Sequence, residues 1–295
     1  MSQPIFRGVA TALITPMHED GSLNVERLRS LVEEQIAAGV NGLVACGTTG
    51  ESATLDHEEH VTVIREVISA AAGRVPVIAG TGSNDTRYAV ELSQEAERLG
   101  ADALLMVTPY YNKTSQDGLV AHYTHVADRV NLPIILYNVP SRTGTNIQSA
   151  TYARLAGHKN IAAIKEANGD ISAALKTMSL CGDQVTLYSG NDEQTIPFFA
   201  IGGQGIISVF SNLAPGVMSE MCAKYLTGDH EAALAIQMKY LALMEAMFCD
   251  VNPIPVKAAM NLAGMEAGPC RLPLVELSEE KKQTVAGLMR KAGLL

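Results

Sequence analysis

The chain has 295 residues, of which 47% are hydrophobic and 18% charged, the composition of a globular protein with a large core. Its net charge of −9 argues against nucleic acid as a partner, because a binder must meet the phosphates with a basic face. The sequence contains no run of about 18 apolar residues that would cross a membrane. Its five cysteines (Cys46, Cys181, Cys222, Cys249, Cys270) are scattered without metal-ligand spacing, which suggests reduced thiols in the cytoplasm.

The apolar stretch before Thr15 has no basic segment ahead of it and runs into Pro16 and acidic residues, so it reads as a first strand and not a signal peptide. Short apolar runs at 9–14, 42–46, 75–79, 103–107, 134–137, 161–164, 185–188 and 205–208 predict eight strands. Amphipathic stretches, for example 25–38, 58–72, 86–99 and 119–130, predict helices between them. Gly39 and Gly100 stand where C-terminal cap glycines belong. Asp56, with Glu59 three residues on, has the spacing of a capping box. Gly39-Val40-Asn41-Gly42-Leu43 and Gly100-Ala101-Asp102-Ala103-Leu104 repeat one unit of helix end, turn and strand start. Strand then helix, eight times over, predicts an α/β fold closed as a (β/α)8 TIM barrel across residues 1–224. Beyond about residue 210 only helices are predicted, at 214–225, 231–247, 255–263 and 278–291, with Pro253 and Pro255 marking a helix start. Residues 225–295 are predicted to form a small C-terminal helical extension.

The stretch Ile161-Ala162-Ala163-Ile164-Lys165-Glu166-Ala167 carries the chemistry. An apolar strand delivers an ammonium group, and turn residues follow at once, so the lysine enters the mouth of a barrel pocket. Strand alternation puts Ile161, Ala163 and Lys165 on one side, with small Ala163 leaving room for the lysine stem. An apolar pocket lowers a lysine pKa, and the neutral amine can attack a ketone to form a Schiff base. A surface lysine at a strand end is the alternative. Lys257, among the helices of the extension, is the rival Schiff-base lysine and ranks lower because it is not at a strand end.

Other strand ends supply partners for Lys165. Gly47-Thr48-Thr49-Gly50-Glu51-Ser52 offers two hydroxyls and backbone N–H groups, a cradle for a carboxylate or simply a capped glycine turn. Thr108-Pro109-Tyr110-Tyr111-Asn112 presents two phenols. Tyr137-Asn138-Val139-Pro140-Ser141-Arg142-Thr143-Gly144 aims a phenol at the lysine strand and adds a guanidinium suited to a carboxylate. His57 and His60 lie one helical turn apart, but no other ligand completes a metal site, and a solvated first helical turn explains them better. Gly202-Gly203-Gln204-Gly205 is a turn before it is a phosphate loop, and Asp192 and Glu193 cap a helix. No Rossmann fingerprint implies a nicotinamide.

Taken together, these motifs resemble the pyruvate-dependent class I aldolase family, which includes N-acetylneuraminate lyase and dihydrodipicolinate synthase. The resemblance covers essentially the whole chain, through segments 8–16, 47–55, 107–112, 137–144, 164–167, 189–192 and 252–257, and is closest to the synthase branch. Segment 137–143 discriminates best, because the sialic-acid lyases carry a non-basic sequence where Arg142 stands. The resemblance implies a lyase of lysine (diaminopimelate) biosynthesis that needs no cofactor and no metal. Lys165 would bind pyruvate as an imine held by Thr48 and Thr49, and Arg142 would anchor aspartate 4-semialdehyde. Tyr137, Thr48 and Tyr111 would relay protons, with Tyr111 reaching in from a neighbouring subunit of a homotetramer. Backbone groups of Gly190 and Ile207 would complete the pocket wall. The same resemblance matches Ser52, Ala53, His57, His60, Asn84 and Tyr110 to a lysine effector site at a dimer interface. Tyr88 stands there in place of a glutamate that would pair with an ammonium, which implies weak or absent inhibition by lysine. Two alternatives stand beside this reading: an aldolase for 2-keto-3-deoxy sugar acids or N-acetylneuraminate, and a non-catalytic barrel that binds a keto acid.

Overall fold

The computed structural model describes residues 3–295; Met1 and Ser2, the start of the N-terminal apolar stretch, lie outside the described residues. Eight parallel strands close in chain order, β8 pairing back onto β1: β1 (Gly8–Ala12), β2 (Gly42–Ala45), β3 (Val77–Gly80), β4 (Ala103–Val107), β5 (Ile134–Asn138), β6 (Ile161–Glu166), β7 (Thr186–Ser189) and β8 (Gly205–Ser208). The helices α1 (Val25–Ala37), α2 (His57–Ala71), α3 (Thr86–Leu99) and α4 (Gln116–Ala127) follow the first four strands. Two short helices, α5 (Pro140–Thr143) and α6 (Ser149–Leu155), follow β5. Next come α7 (Ile171–Cys181) after β6, α8 (Thr195–Ala200) after β7 and α9 (Pro215–Leu226) after β8. The chain ends in α10 (His230–Ala246), α11 (Ile254–Leu262) and α12 (Glu279–Ala292). The (β/α)8 barrel predicted from strand–helix alternation is therefore the fold, with most element ends within about two residues of the periodicity, as fraying allows.

Local chemistry sets these ends. Asp56 accepts from Glu59 N and Glu59 returns a bond to Asp56 N, the reciprocal box expected at the start of α2. Gly39 (φ +85°) and Gly100 (φ +92°) close α1 and α3 in the left-handed region that glycine enters without a Cβ penalty. Two apolar layers result. The outer one, between strands and helices, includes Val9, Leu43, Leu104 and Ile164. The inner one fills the barrel with Ala10, Ala12, Val44, Ile78, Leu105, Ile135, Ala163 and Tyr188. Phe6, ahead of β1, belongs to the inner layer and closes the end of the barrel at which the strands start. Its ring stacks on Tyr188 at 4.2 Å, and the Tyr188 hydroxyl donates to Phe6 O at 2.9 Å. The opposite end of the barrel, where the strands finish, stays open.

Two sequence expectations change. The lysine strand was predicted to stop at residue 164, but it runs to Glu166, so Lys165 is held inside the β ladder. Ile161 does not share a side with Lys165. The β5–β6 register jumps from Ile134↔Ile161 to Ile135↔Ala163, so Ala162 is a bulge. The extra residue turns Ile161 into the outer layer while Ala163 and Lys165 face inward.

Candidate active site

Lys165 is buried, and its register partners are Tyr137 on β5 and Tyr188 on β7. Its Nζ sits 4.1 Å from the centroid of the Tyr137 ring, a cation–π distance. Burial pulls the amine down to about 7; the Asp192 carboxylate opposes that shift and the Arg142 guanidinium adds to it. Near neutrality, much of the lysine is therefore a free-base nucleophile. Gly190 makes room for it: a Cβ there would lie 2.7 Å from Ala167 Cβ and 3.2 Å from Lys165 Cε.

The lysine opens into a cavity of about 540 Å³ whose lining includes Thr49, Tyr137, Arg142, Gly190 and Asn252. A second cavity, of about 470 Å³, lies against it and includes Thr48, Ser52, Tyr88 and Tyr110; Val139, Arg142, Val251 and Asn252 form the shared wall. Tyr137 is buried. Desolvation raises the pKa of its phenol, against the charge of Arg142 and a hydrogen bond with Thr48, so it stays a proton donor at neutral pH. Arg142, on α5, is exposed at the mouth and donates through Nη2 to Asn252 O at 3.0 Å. Among the described residues no carboxylate pairs with it, so its fork remains available to an anion.

The hydroxyl turn after β2 is tied down by contacts from elsewhere in the chain. It is bracketed by Cys46 (φ +54°) and Glu51 (φ +55°), two non-glycine residues in the left-handed region, strain of the kind that surrounding structure must hold in place. What holds Glu51 is Lys257, whose Nζ donates to Glu51 Oε1 at 2.6 Å and to Pro269 O at 2.7 Å; Arg271 N donates to the other carboxylate oxygen. The rival lysine is thus engaged in a buried ion pair. Thr49 Oγ1 accepts from Asn252 Nδ2 at 3.0 Å.

Other predicted residues are placed as follows. Ile207 is buried in the inner layer of β8 and does not line the cavity. Tyr111 is 91% exposed, with φ +69°, and lines neither cavity. Of the effector set, Ser52, Ala53, His60, Tyr88 and Tyr110 line the second cavity. Asn84 lies outside it, its carbonyl accepting from Asn112. His57 Nδ1 is 3.4 Å from the Tyr88 hydroxyl. His60 corrects an expectation: it is buried rather than solvated. Its Nε2 lies 2.8 Å from Gly80 O, which requires a proton on that nitrogen, and burial lowers its pKa. Asp192 does cap a helix, but not its own. Buried, it accepts from Ser208 Oγ, Val209 N and Phe210 N, capping the 3-10 turn after β8 from the end of the neighbouring strand β7. The amides of Gly202, Gly203 and Gln204 all donate to backbone carbonyls within the chain, so that cluster is a turn.

Sequence reasoning missed Asn252 as a member of the wall. Its side chain holds Thr49, its carbonyl holds Arg142, and its buried Oδ1 has no partner. The prolines after it marked a helix start and segment 252–257 belonged to the resemblance, but Asn252 itself was given no role; an asparagine before proline, next to two more site-lining residues, Asp250 and Val251, is the signal that was there to read.

Known proteins resemble this chain along nearly its whole length. The profile of the dihydrodipicolinate synthetase family matches residues 5–292. A protein of Thermoanaerobacter sp. (strain X514) called 4-hydroxy-tetrahydrodipicolinate synthase is 48% identical over 99% of this chain and 98% of its own length. One of the same name from Geobacter sulfurreducens is 48% identical over 99% of this chain and all of its own. The crystal structure of dihydrodipicolinate synthase from Thermotoga maritima superposes with a TM-score of 0.96 at 43% identity, covering 99% of this chain and 100% of that one. The chloride-inhibited enzyme of Acinetobacter baumannii, solved with pyruvate, superposes with a TM-score of 0.96 at 44% identity, covering 98% and 99%. A full-length family match, relatives at nearly half identity and a barrel with a buried lysine at its open end lead to one conclusion: the chain belongs to the dihydrodipicolinate synthetase family.

Proposed function

We propose that this chain condenses pyruvate with aspartate 4-semialdehyde, the reaction for which its relatives are named, and so performs the first committed step towards diaminopimelate and lysine. The observation that carries the reading is Lys165, a buried amine with its pKa pulled down to about 7, stacked on a protonated phenol and facing an unpaired guanidinium across one cavity.

The neutral amine attacks the ketone of pyruvate, and loss of water gives an imine whose nitrogen is the electron sink. Thr48 and Thr49 cradle the pyruvate carboxylate, with the backbone of Gly190 behind it. Tyr137 moves protons to and from the carbinolamine, with Thr48 next in line. Loss of a methyl proton gives the enamine, which attacks the aldehyde, and ring closure by the amino group of the second substrate frees Lys165. Arg142 binds the carboxylate of the semialdehyde as a fork. No metal or organic cofactor enters this chemistry. Tyr111 completes the relay from a second copy, within a cytoplasmic homotetramer, and residues 225–295 act as an extension of the barrel that walls the site. Tyr88 makes the second cavity a poor lysine site, because a neutral phenol replaces a charge that an ammonium would need.

The reading is tested with purified protein, pyruvate and aspartate 4-semialdehyde in a steady-state assay. Turnover is expected with this aldehyde and not with neutral polyol aldehydes of sugar-acid type. Preference for the polyols would favour the aldolase alternative, and pyruvate binding without turnover of any aldehyde would favour a binding barrel.

A further inference from the structure

Behind the lysine strand, on the helix side of the barrel, sits a buried carboxylate that this chemistry does not use. We infer that Glu166 is a positioning residue which, through Asn138, fixes the ends of β5 and β6 so that the Tyr137 ring stays over Lys165. The inference rests on the reaction proposed above and concerns how the strand ends serve it.

Lys165 and Glu166 are consecutive, so one faces the cavity and the other the helices. Tyr137↔Lys165 and Asn138↔Glu166 are the last two register pairs of these strands. Below them stand two further pairs, Ile135↔Ala163 and Leu136↔Ile164, and beneath those the ladder is interrupted by the bulge at Ala162, so only a short stretch of ladder sets where the upper ends meet. The ends are joined by the backbone ladder, Ala167 N donating to Asn138 O at 2.9 Å, and a side-chain bond ties them a second time. Asn138 Nδ2 donates to both Glu166 oxygens, at 2.9 and 3.1 Å, and to Asn146 Oδ1 at 2.7 Å. Asn138 Oδ1 accepts from Ile147 N at 3.1 Å, which fixes which way the amide points. Glu166 in turn accepts from the Tyr152 hydroxyl on α6 at 3.0 Å and from Asn168 N at 3.0 Å. Among the described residues no basic side chain pairs with Glu166. A buried carboxylate without a counter-charge is costly, and an apolar residue would fill the layer more cheaply. What the carboxylate offers is geometry: every donor it holds comes from a different element, β5, α6 or the loop leaving β6. The lysine and the phenol are thereby clamped from behind, where no clamp can obstruct substrate.

Glu166→Gln keeps the shape but turns one acceptor oxygen into an N–H: in the Oε1 position it meets the Asn138 and Asn168 N–H groups, and in the Oε2 position it gives up one Asn138 bond and makes the Tyr152 hydroxyl accept instead of donate. A small displacement of reacting groups can cost on the order of a hundredfold in rate, so kcat should fall by about tenfold to a hundredfold with KM for both substrates near wild type. Adding Asn138→Asp gives the new amide an acceptor on the facing strand and should recover part of kcat, a rescue that loss of stability alone would not produce. If Glu166→Gln does not fold, Asn138→Ala removes the same link and should show the same kcat loss. The wild type is first trapped with pyruvate and borohydride. No adduct on Lys165 there would sink the proposed reaction itself. With a wild-type adduct in hand, wild-type kcat in Glu166→Gln (or in Asn138→Ala, if that stands in), or a kcat loss that Asn138→Asp does not relieve, would overturn the positioning role alone.

Discussion

At the scale of single residues, charge and burial decide what the site can do. Lys165 loses its proton near neutrality because it sits in the barrel interior, and Arg142 adds to that shift as a nearby cation. Arg142→Ala should therefore do two things. It should cripple turnover by removing the anchor for the second carboxylate. It should also raise the Lys165 pKa, so that the pH at which pyruvate adduct formation rises moves upward. An unchanged pH midpoint in a trapping assay would mean that the guanidinium does not sense the amine. Tyr88 is the second residue with a distinct consequence. Burial keeps its phenol protonated, so the second cavity offers a lysine ammonium no charge at that position. Steady-state inhibition by lysine should be weak or absent, and half-inhibition at nanomolar-to-micromolar lysine would contradict this.

At the scale of elements, the turn after β2 is held by contacts from far along the chain. Glu51 and Lys257 form an ion pair with both side chains almost fully buried. Lys257→Met would leave Glu51 buried without its cation, and breaking such a pair by removing one partner costs about 3–5 kcal/mol. A thermal unfolding scan should show that loss, with the borohydride adduct still forming on Lys165. Wild-type stability would show that Glu51 finds another donor. The eight strands, the capping box of α2 and the lysine were legible in the sequence because each rests on local period or local hydrogen bonding. The bulge at Ala162 was not, since it is defined only by the partner strand. Asn252 was not, since Thr49, the residue it holds, lies 203 positions away. His60 was misjudged because its acceptor, Gly80 O, comes from the end of β3, and nothing within α2 announces it. Asp192 hid its role in the same way, its donors standing on and after β8.

At the scale of the whole molecule, one residue of the proposed relay lies away from the cavities. Tyr111 is exposed in the single chain and lines neither cavity. If it serves the site of a second copy, two inactive variants should repair one another. A dimer of a Lys165→Ala chain and a Tyr111→Phe chain contains one site with an intact lysine and a partner's intact tyrosine. Mixing the two under exchange conditions should restore activity; mixtures as inactive as their components would place Tyr111 in its own chain's site, and a Tyr111→Phe chain active by itself would place it outside the relay. The net charge of −9 also makes Arg142 matter more, because the anionic substrates must be drawn by local cations against the overall field.

The most direct test is borohydride reduction of the protein with pyruvate, followed by peptide mapping by mass spectrometry across the neutral pH range. A reduced pyruvyl adduct on Lys165, forming faster as pH rises through about 7, is the expected result. No adduct, or an adduct on Lys257, would contradict the Schiff-base role of Lys165 and leave the buried amine a structural feature of the barrel.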